Sequence, residues 1–359
     1  MSTALNAICP YFTMFPLHFP LGILKSYTMF GETVLDPFAG RGTTLYAARL
    51  CGLHALGIDS NPVAIAISEA KLANTSPGRI LASAKRILAD ISKPRHVPTG
   101  EFWHLAFNEE VLRTLCRLRE GLMANCESHA RKSLRAVILG ALHGPLTKHE
   151  KSYFSNQCPR TFSPKPRYAT KFWQERKLVA PCVDVLQIIE RRAVRFFGEE
   201  HTVASGQVIE GDSRDRVNFL ALKKVSWILT SPPYYGMRTY IPDQWLRLWF
   251  VGGPAEVDYS NAGQLSHASR DAFRDGLRKV WNNCATVAKT SCSLVIRFGA
   301  INDRRIDAQA LVKDSLRHTP WRLRACRCAG SASRGKRQAD HFVHANSPIR
   351  EYDMWAELE

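Results

Sequence analysis

Two short segments of the chain combine glycine or proline with polar residues in patterns that suit chemistry on a bound ligand. The first is VLDPFAGRGTT, residues 34–44, which is typical of a strand, a tight turn and the start of a helix. Gly40 and Gly42 let the backbone approach a ligand where a Cβ would clash. Thr43 or Thr44 can cap the helix, whose N-terminal amides would then face the ligand.

A carboxylate follows the next predicted strand, residues 55–58. Asp59 lies seventeen residues after Gly42 within the run LGIDSNP, and an acidic residue at such a position can accept both hydroxyls of a ribose. A glycine turn with an unrelated aspartate is the structural alternative. The whole combination of strand, turn, helix, strand and acid favours a ligand site.

The second segment is LTSPPYYG, residues 229–236, which also follows an apolar strand. Pro232 and Pro233 fix their φ angles and remove two backbone donors. The Ser231 hydroxyl and the Pro232 carbonyl then form an acceptor cradle for an amino group, and Tyr234 adds a flat face beside it. An exocyclic amine is a poor nucleophile, because its lone pair is conjugated into the ring. Acceptors that hold its hydrogens favour a pyramidal nitrogen and stabilise the developing positive charge.

These motifs resemble the cofactor region of S-adenosylmethionine-dependent amino-methyltransferases that act on DNA; the GxGxxG fingerprint of dinucleotide-binding proteins is absent. The resemblance implies S-adenosyl-L-methionine as cofactor. It also implies a set of cofactor-binding residues, namely Phe19, Asp36, Phe38, Ala39, Gly40, Gly42, Thr43, Asp59, Ser60 and Asp212.

Within this set, the resemblance implies a role for each region. The glycine turn wraps the methionine part of the cofactor, and Asp36 contacts its amino group or orders the turn. Asp59 holds the ribose. Asp212, in the run EGDSR, reaches the adenine amino group, and the segment FPLHFP at residues 15–20 closes over the cofactor.

The resemblance also implies a catalytic loop made of Ser231, Pro232, Pro233 and Tyr234. Its SPPY form resembles the version typical of cytosine-N4 methyltransferases, whereas adenine-N6 enzymes more often carry DPPY, so adenine-N6 methylation is the alternative. An RNA guanine-N2 methyltransferase and a non-enzymatic cofactor-binding DNA protein are further alternatives. For the leading interpretation, the target cytosine leaves the duplex to reach the loop.

Five apolar runs predict strands, and helical patterns lie between several of them. The runs are residues 33–35, 55–58, 207–210, 227–230 and 293–298. This alternation predicts an α/β fold with an open, mostly parallel, twisted sheet and helices on both faces, which the resemblance makes a Rossmann-like methyltransferase fold. Helices are predicted over 79–93, 109–142 and 171–197, and a loop over 155–168. We expect residues 1–75 and 201–359 to form the catalytic domain, and 76–200 a helical, basic insertion that serves DNA target recognition.

The charge favours a nucleic-acid partner. The chain has 49 Lys and Arg against 32 Asp and Glu, a formal net charge of +17, and such an excess favours polyanions through counterion release. Candidate DNA-binding residues are Asn156, Gln157, Arg160 and Arg238. Double-stranded DNA is the expected partner; a cognate restriction endonuclease of a restriction-modification system, or another defence-system partner, stays open.

Composition excludes several classes of protein. Hydrophobic residues make up 45% and charged residues 23%, ordinary globular values that exclude a disordered or collagen-like chain. The apolar start is interrupted by prolines and lacks a basic end, so we expect neither a signal peptide nor a membrane span. Ten irregularly spaced cysteines favour reduced thiols in a cytoplasmic protein, and the resemblance implies a prokaryotic, nucleoid-associated one. Cys326 and Cys328 with His341 and His344 match no strong metal template, and we expect no metal.

Overall fold

The structure, a computed structural model, describes residues 3–10, 16–146, 152–159, 165–199, 202–236, 241–257, 265, 269–299, 307–331 and 350–359. Seven strands in these residues form one sheet: β1 (Thr33–Asp36), β2 (His54–Asp59), β3 (Ser205–Glu210), β4 (Val225–Thr230), β5 (Ala288–Gly299), β6 (Trp321–Ser331) and β7 (Arg350–Leu358). The short apolar strands β1, β2 and β4 are almost entirely buried, which is the pattern of strands covered on both faces.

The strand order is β3-β2-β1-β4-β5-β7-β6. The first five strands of this order pair in parallel, and β7 runs antiparallel to both β5 and β6. The predicted mostly parallel α/β sheet is therefore confirmed. The sequence does not predict β6 and β7, because their mixed polar and apolar residues lack the short apolar run that marks the other strands.

The order of strands reverses between β1 and β4. Chain order continues from β1 to β2 on one side of the sheet and from β4 to β5 on the other. Val34 pairs with Trp227 and Leu35 with Ile228, so the two strands end side by side at their carboxyl ends. Open α/β sheets bind ligands at such a point.

The described helices are α1 (His18–Tyr27), α2 (Thr43–Leu50), α3 (Pro62–Lys71), α4 (Pro77–Asp90), α5 (Glu101–Ala106), α6 (Glu109–Ala124), α7 (His129–Ala141), α8 (Pro166–Glu175), α9 (Val185–Phe197), α10 (Ile241–Phe250), α11 (Arg270–Val287) and α12 (Ala308–Leu316). Several begin at a side-chain cap. Asn108, Ser128 and Asp184 each accept a hydrogen bond from a backbone amide in the first turn of the helix they precede.

Three predicted boundaries are wrong. The segment 109–142 is two helices, because the polar residues 125–128 interrupt the pattern and Ser128 caps a new helix. The segment 171–197 is likewise two helices, since residues 176–184 are not helical. Finally, α8 starts inside the predicted loop at Pro166, a residue that fits the first turn of a helix.

The chain divides into two compact units. The sheet unit comprises Phe12–Ser68, Ala204–Thr239 and Ala262–Glu359, and the helical unit comprises Met1–Tyr11, Glu69–Val203 and Tyr240–Asn261. Residues 1–11 and 240–261, which the prediction placed in the catalytic domain, group with the helices, and the roles of the two predicted domains stay predictions.

Each unit has its own core. Leu35, Ile228 and Trp281 are buried together with β5 residues in the sheet unit. In the helical unit, the Trp103 ring packs against Trp249, with centroids 4.6 Å apart, and against Trp245, at 5.7 Å. The tryptophans of α10 are therefore core residues.

None of the ten cysteines, all of which lie in the described part of the chain, forms a disulfide. Among the described helices, none combines the length and the apolar character that crossing a bilayer requires.

Candidate active site

The turn after β1 is shaped by its own backbone and by Asp36. The Phe38 amide donates to Asp36 Oδ1 at 3.0 Å, and the Gly42 amide donates to the Ala39 carbonyl at 2.7 Å. Gly40 and Gly42 have φ angles of +50° and +70°, a region that side chains other than glycine rarely adopt. Both glycines predicted from the sequence therefore stand where the backbone requires them.

Gly42, not a threonine, caps α2. It adopts the left-handed conformation at the N-cap, and no side chain caps this helix, so the expected Thr43 or Thr44 cap is wrong. Thr43 is buried as the first residue of α2, and the Thr44 hydroxyl donates instead to the Leu229 carbonyl at 3.3 Å. A Cβ on Gly42 would lie 2.7 Å from Ser68 Oγ on α3.

Asp59, at the end of β2, ties the glycine turn to the next strand. Its Oδ2 accepts from the Gly40 amide at 2.8 Å and its Oδ1 from the Asn61 amide at 2.9 Å. Burial raises the pKa of this carboxyl, and the backbone hydrogen bonds oppose that shift. Asp59 nevertheless stays partly exposed, and the adjacent Ser60 is exposed, so the carboxylate can still accept from a ligand hydroxyl.

Asp36 joins the ends of β1 and β4. It is completely buried, and its Oδ1 accepts from the Thr230 hydroxyl at 2.6 Å. Burial raises the pKa of Asp36 from 3.8 to about 6, although the hydrogen bond from Thr230 acts to lower it. Its Oδ2 is buried and makes no hydrogen bond with the described residues. A ligand ammonium group is the kind of partner that this oxygen lacks.

Asp212 follows β3 and belongs to an ion pair. Its two carboxylate oxygens accept from Arg214 Nε at 3.0 and 2.9 Å. Burial alone would raise the pKa of Asp212, but the hydrogen bonds and charge of Arg214 outweigh it and lower the pKa. The neighbouring Ser213 hydroxyl donates to the Pro37 carbonyl at 2.5 Å. The loop after β3 therefore contacts the glycine turn, while the predicted adenine contact of Asp212 stays a prediction.

The predicted catalytic loop starts directly after β4. Ser231 and Pro233 are half-buried and Pro232 is buried. The bonds from Thr230 to Asp36 and from Thr44 to Leu229 fix the end of β4 against β1 and α2. Gly40 and Ser231 thus lie in the loops that follow the neighbouring strands β1 and β4 of the sheet unit, as the predicted chemistry requires.

Tyr234 is held by a residue far away in the chain. Its hydroxyl donates to Glu351 Oε1 at 2.6 Å, and its ring packs edge-on against Phe298, with centroids 5.2 Å apart. Burial raises the pKa of the Tyr234 hydroxyl well above its ordinary value, and the Glu351 carboxylate reinforces that shift. Glu351, on β7, is 4% exposed. The tyrosine ring therefore has a fixed orientation.

Phe19 on α1 lies under a paired arginine. Arg297 on β5 sits 3.5 Å from the centroid of the Phe19 ring, and its Nε and Nη2 each lie 2.7 Å from a carboxylate oxygen of Asp353. Phe19 is buried by these contacts. Phe38 is half-buried and packs edge-on against Trp281, at 6.3 Å between centroids. The predicted cofactor contacts of both phenylalanines stay predictions.

The predicted DNA-binding residues have different positions. Asn156 is buried at 7% exposure, and its side-chain amide donates to the carbonyls of Leu105 and Leu178, at 3.4 Å each. The Gln157 carbonyl accepts from Trp173 Nε1 at 2.9 Å. These bonds give Asn156 a structural role. Arg160 and Arg238 lie outside the described residues.

Several residues that shape the site are not predicted by the sequence. Thr230 directly precedes the SPPY motif, so its position beside Asp36 could be expected from the parallel strands. Ser68 and Glu351 have no such signal, because only the packed fold brings α3 and β7 to the loops. The Ser68 hydroxyl donates to the Gly40 carbonyl at 2.8 Å, and the Glu351 carboxylate accepts from the Tyr234 hydroxyl.

The residues after β1 and β2 fit S-adenosylmethionine. A turn with two positive φ angles admits a closely packed ligand, Asp36 Oδ2 lacks a partner, and Asp59 presents an accessible carboxylate. For a metal ion the described residues contain no suitable cluster of three or more His, Cys, Asp or Glu.

Comparison with known proteins found one matching family model and several similar solved structures. Residues 4–70 match the model of a family described as DNA methylase. A search of curated proteins found no match. Similar solved structures include the rRNA methyltransferase aviRa from Streptomyces viridochromogenes, at 12% identity and a TM-score of 0.36 over 99% of this chain and 90% of that one. TrmN from Thermus thermophilus has 10% identity and a TM-score of 0.37, over 96% and 48%.

The sheet, the glycine turn and the family match together support an S-adenosylmethionine-dependent methyltransferase with a Rossmann-like fold. Over residues 4–70 the match confirms the predicted family, the DNA amino-methyltransferases. It does not separate the N4 from the N6 type.

Asp36 should make cofactor affinity depend on pH. The α-amino group of the cofactor stays protonated up to about pH 8 and pairs with the ionised carboxylate. Because the pKa of Asp36 is about 6, affinity is full above pH 6 and falls as the pH drops through 6, approaching tenfold per unit. Calorimetric titration between about pH 5 and 7.5 measures this. The Asp36→Asn variant should bind the cofactor weakly at every pH, and the control Asp90→Asn, an exposed change, should keep the pH profile of the wild type. A wild-type affinity that does not change with pH would contradict the pairing.

Gly42→Ala should damage the turn. The positive φ alone costs an alanine about 1–2 kcal/mol, and the added Cβ collides with Ser68. We expect a lower free energy of unfolding in urea and weaker cofactor binding. The control is Gly22→Ala on α1, where a Cβ meets nothing within 4 Å and should be neutral or stabilising. Wild-type stability and affinity in the Gly42 variant would show that the turn tolerates a side chain.

Glu351 should matter through the position of Tyr234. Glu351→Ala removes the acceptor of the tyrosine hydroxyl, and we expect the rate of methyl transfer to fall about tenfold, equivalent to about 1.4 kcal/mol, with unchanged cofactor affinity. Glu351→Gln keeps an acceptor oxygen and should recover most of the rate. Glu357→Ala, an exposed change on the same strand that removes an ion pair with Arg324, is the control. A wild-type rate in Glu351→Ala would show that methyl transfer does not depend on the contact between Glu351 and Tyr234.

Proposed function

We propose that the chain transfers the methyl group of S-adenosylmethionine to the exocyclic N4 amine of a cytosine in duplex DNA. The observation that carries this proposal is the hydrogen bond between Thr230 and Asp36, 2.6 Å long. It joins the turn that fits the cofactor to the loop that fits an amine, so both substrates of a direct transfer can meet there.

When bound, S-adenosylmethionine supplies an electrophilic methyl group on a sulfonium. The residues of the turn bind and orient it. Asp36 Oδ2 pairs with the ammonium group, and Asp59 accepts from ribose hydroxyls while it continues to hold the Gly40 amide. The first turn of α2 directs its N-terminal amides towards the ligand and favours a carboxylate there. Positioning of two bound reactants is a large part of the expected rate gain.

Ser231 and Pro232 act on the target amine. The serine hydroxyl and the proline carbonyl accept its two hydrogens, so the lone pair is freed from conjugation and points at the methyl carbon. As the nitrogen–carbon bond formed and the carbon–sulfur bond broke, the nitrogen would gain positive charge, which the two oxygens would stabilise. The extra proton would then leave the nitrogen for water. The stabilisation by the two oxygens is that of an oxyanion hole with the sign reversed. Pro232 is buried, which strengthens the effect because water screens it less.

Tyr234 receives the displaced base. Extrusion of a nucleotide from a duplex costs a few kcal/mol, and stacking on an aromatic ring contributes about 1–3 kcal/mol. The bond to Glu351 and the packing on Phe298 hold the ring before the base arrives. Less conformational entropy is then lost on binding.

Ser231 is also the basis for choosing cytosine over adenine. In this family a serine at the first position of the loop is more typical of cytosine-N4 enzymes, and an aspartate of adenine-N6 enzymes. A hydroxyl accepts a weaker hydrogen bond than a carboxylate, yet it can hold one amine hydrogen. The proposal of N4 over N6 therefore depends on this single side chain.

Nucleoside mass spectrometry of DNA and RNA from cells that express the chain tests the proposal. We expect N4-methylcytosine in DNA, and a loss of about a hundredfold in methyl transfer with Ser231→Ala. The exposed Ser92→Ala should retain wild-type transfer. N6-methyladenine would show that the target base is adenine, and N2-methylguanosine in RNA would show that the substrate is RNA. No new modification would contradict methyl transfer to nucleic acid.

A further inference from the structure

A buried arginine near the end of β5 lies beside the predicted catalytic loop, and the transfer described above does not use it. Thr230 on β4 pairs with Ile296 on β5. Arg297 and Ser231 are therefore the next residues along two neighbouring parallel strands, which lie about 4.8 Å apart. Arg297 is 7% exposed, and a charged side chain is rarely buried this deeply unless it is paired.

The residues around Arg297 pack on Tyr234. The Phe298 ring contacts the Tyr234 ring edge-on, at 5.2 Å between centroids, and a Cβ on Gly299 would lie 3.1 Å from the same ring. Burial raises the pKa of the Tyr234 hydroxyl, and the charge of Arg297 acts to lower it, an effect that requires the two side chains to be near each other. Arg297 therefore borders the ring that receives the displaced base in the proposed function.

Three contacts fix the guanidinium of Arg297. Asp353 stands directly opposite it on β7, and the two carboxylate oxygens lie 2.7 Å from Nε and Nη2. The Phe19 ring covers the guanidinium, with its centroid 3.5 Å away. A planar, bidentate pair of this kind holds an arginine in one orientation. The direction of its remaining N–H groups is therefore set before a ligand arrives, which reduces the entropy lost on binding.

This arrangement leaves one nitrogen of the guanidinium for a ligand. Nη1 makes no hydrogen bond with the residues that the structure describes, and the Arg297 side chain keeps an exposed fraction of 8%. A donor that is almost enclosed and has no acceptor is unfavourable. An acceptor atom of a ligand beside Tyr234 would remove that cost.

The ion pair decides which kind of acceptor fits. Because the Asp353 carboxylate neutralises the guanidinium, Nη1 offers a donor with little net positive charge, which suits a neutral carbonyl oxygen better than a phosphate. Cytosine carries such an oxygen, O2, on the ring that also carries the N4 amine. Adenine has an exocyclic amine but no carbonyl oxygen.

We propose that Arg297 donates through Nη1 to the O2 carbonyl of the target cytosine and so selects cytosine over adenine. The inference rests on the proposed function, which places an extruded cytosine at Tyr234. Ser231 holds an amine hydrogen, and both bases carry an amine. Arg297 contacts the feature that only cytosine of the two bases has, and is therefore a specificity-determining residue.

The test combines two DNA duplexes with wild type and variants of the full chain. The variant Arg297→Met, Asp353→Leu removes the donor and its carboxylate together, because loss of one partner would leave a buried charge unpaired. The control Arg324→Met, Glu357→Leu removes an exposed ion pair between β6 and β7.

The first duplex carries the methylated site, as read by sequencing DNA from cells that express the chain. In the second duplex, the C-nucleoside of 2-aminopyridine replaces the target cytosine. This analogue keeps the amine and the ring nitrogen and lacks O2. The measured quantity is kcat/KM for each protein on each duplex, and calorimetry measures cofactor affinity in parallel.

We expect the wild type to methylate the analogue with a kcat/KM about 10–100-fold lower than that for cytosine, since a hydrogen bond from a charged donor is lost. The Arg297→Met, Asp353→Leu variant should lose a similar factor on cytosine and nothing further on the analogue, with unchanged cofactor affinity. The control should keep both wild-type values. Arg297→Lys, which keeps a charge opposite Asp353 but has a single nitrogen, is a second variant and should behave as the first one does.

A purely structural role for Arg297 would lower kcat/KM by the same factor on both duplexes. Such equal factors would overturn the proposal, and so would a wild type that methylates the analogue as well as cytosine.

Failure of this inference and failure of the proposed function are distinguishable. If the wild type forms N4-methylcytosine but the factors are equal, the contact with O2 is wrong and the function stands. If the wild type forms N6-methyladenine, both the contact and the choice of cytosine are overturned, while methyl transfer to DNA stands. If no base of DNA is methylated, the proposed function fails and the contact with cytosine fails with it.

Discussion

The site depends on one buried hydrogen bond, in which the Thr230 hydroxyl donates to Asp36 Oδ1 at 2.6 Å. The same oxygen accepts from the Phe38 amide, so a single atom fixes both the turn after β1 and the end of β4. Parallel neighbouring strands lie about 4.8 Å apart, and this spacing sets the separation of the two loops. A direct transfer between two ligands needs a separation that does not vary, and the sheet supplies it.

Keeping Asp36 in this position has an electrostatic cost. Burial raises the pKa of Asp36 from 3.8 to about 6, so the folded state binds a proton more tightly than the unfolded state between these values. The free energy of unfolding therefore falls as the pH rises through this window, by about 3 kcal/mol for the whole shift. A cationic ligand group beside Asp36 Oδ2 would remove that penalty. In the proposed function the carboxyl converts a loss of stability in the free protein into affinity for the ligand, and perturbed pKa values of this kind cluster at functional sites.

The sequence predicts the parts of the site that local chemistry dictates. Gly40 and Gly42 are required by positive φ angles, and Asp59 and Ser231 stand at strand ends that short apolar runs already mark. The five predicted strands all occur, each at one of the brief apolar runs of the sequence. The antiparallel strands β6 and β7, the break at residues 125–128 and the start of α8 inside a proline-rich segment are missed. In these places packing or a single capping residue outweighs the periodic pattern. Glu351 is missed for the same reason, since 117 residues separate it from Tyr234.

The charge of the chain and the chemistry of the site are largely separate. In the proposed function the site binds through backbone amides, hydroxyls and carboxylates, and two of its arginines are already paired: Arg214 with Asp212, and Arg297 with Asp353. These two arginines therefore offer little positive charge to phosphate. In the proposed function, most of the net charge of +17 is therefore left to act on a polyanion through other surfaces. Such a division has a physical advantage, because salt-dependent attraction can hold a long polyanion while short, buried hydrogen bonds, which salt screens much less, keep the reacting groups in place.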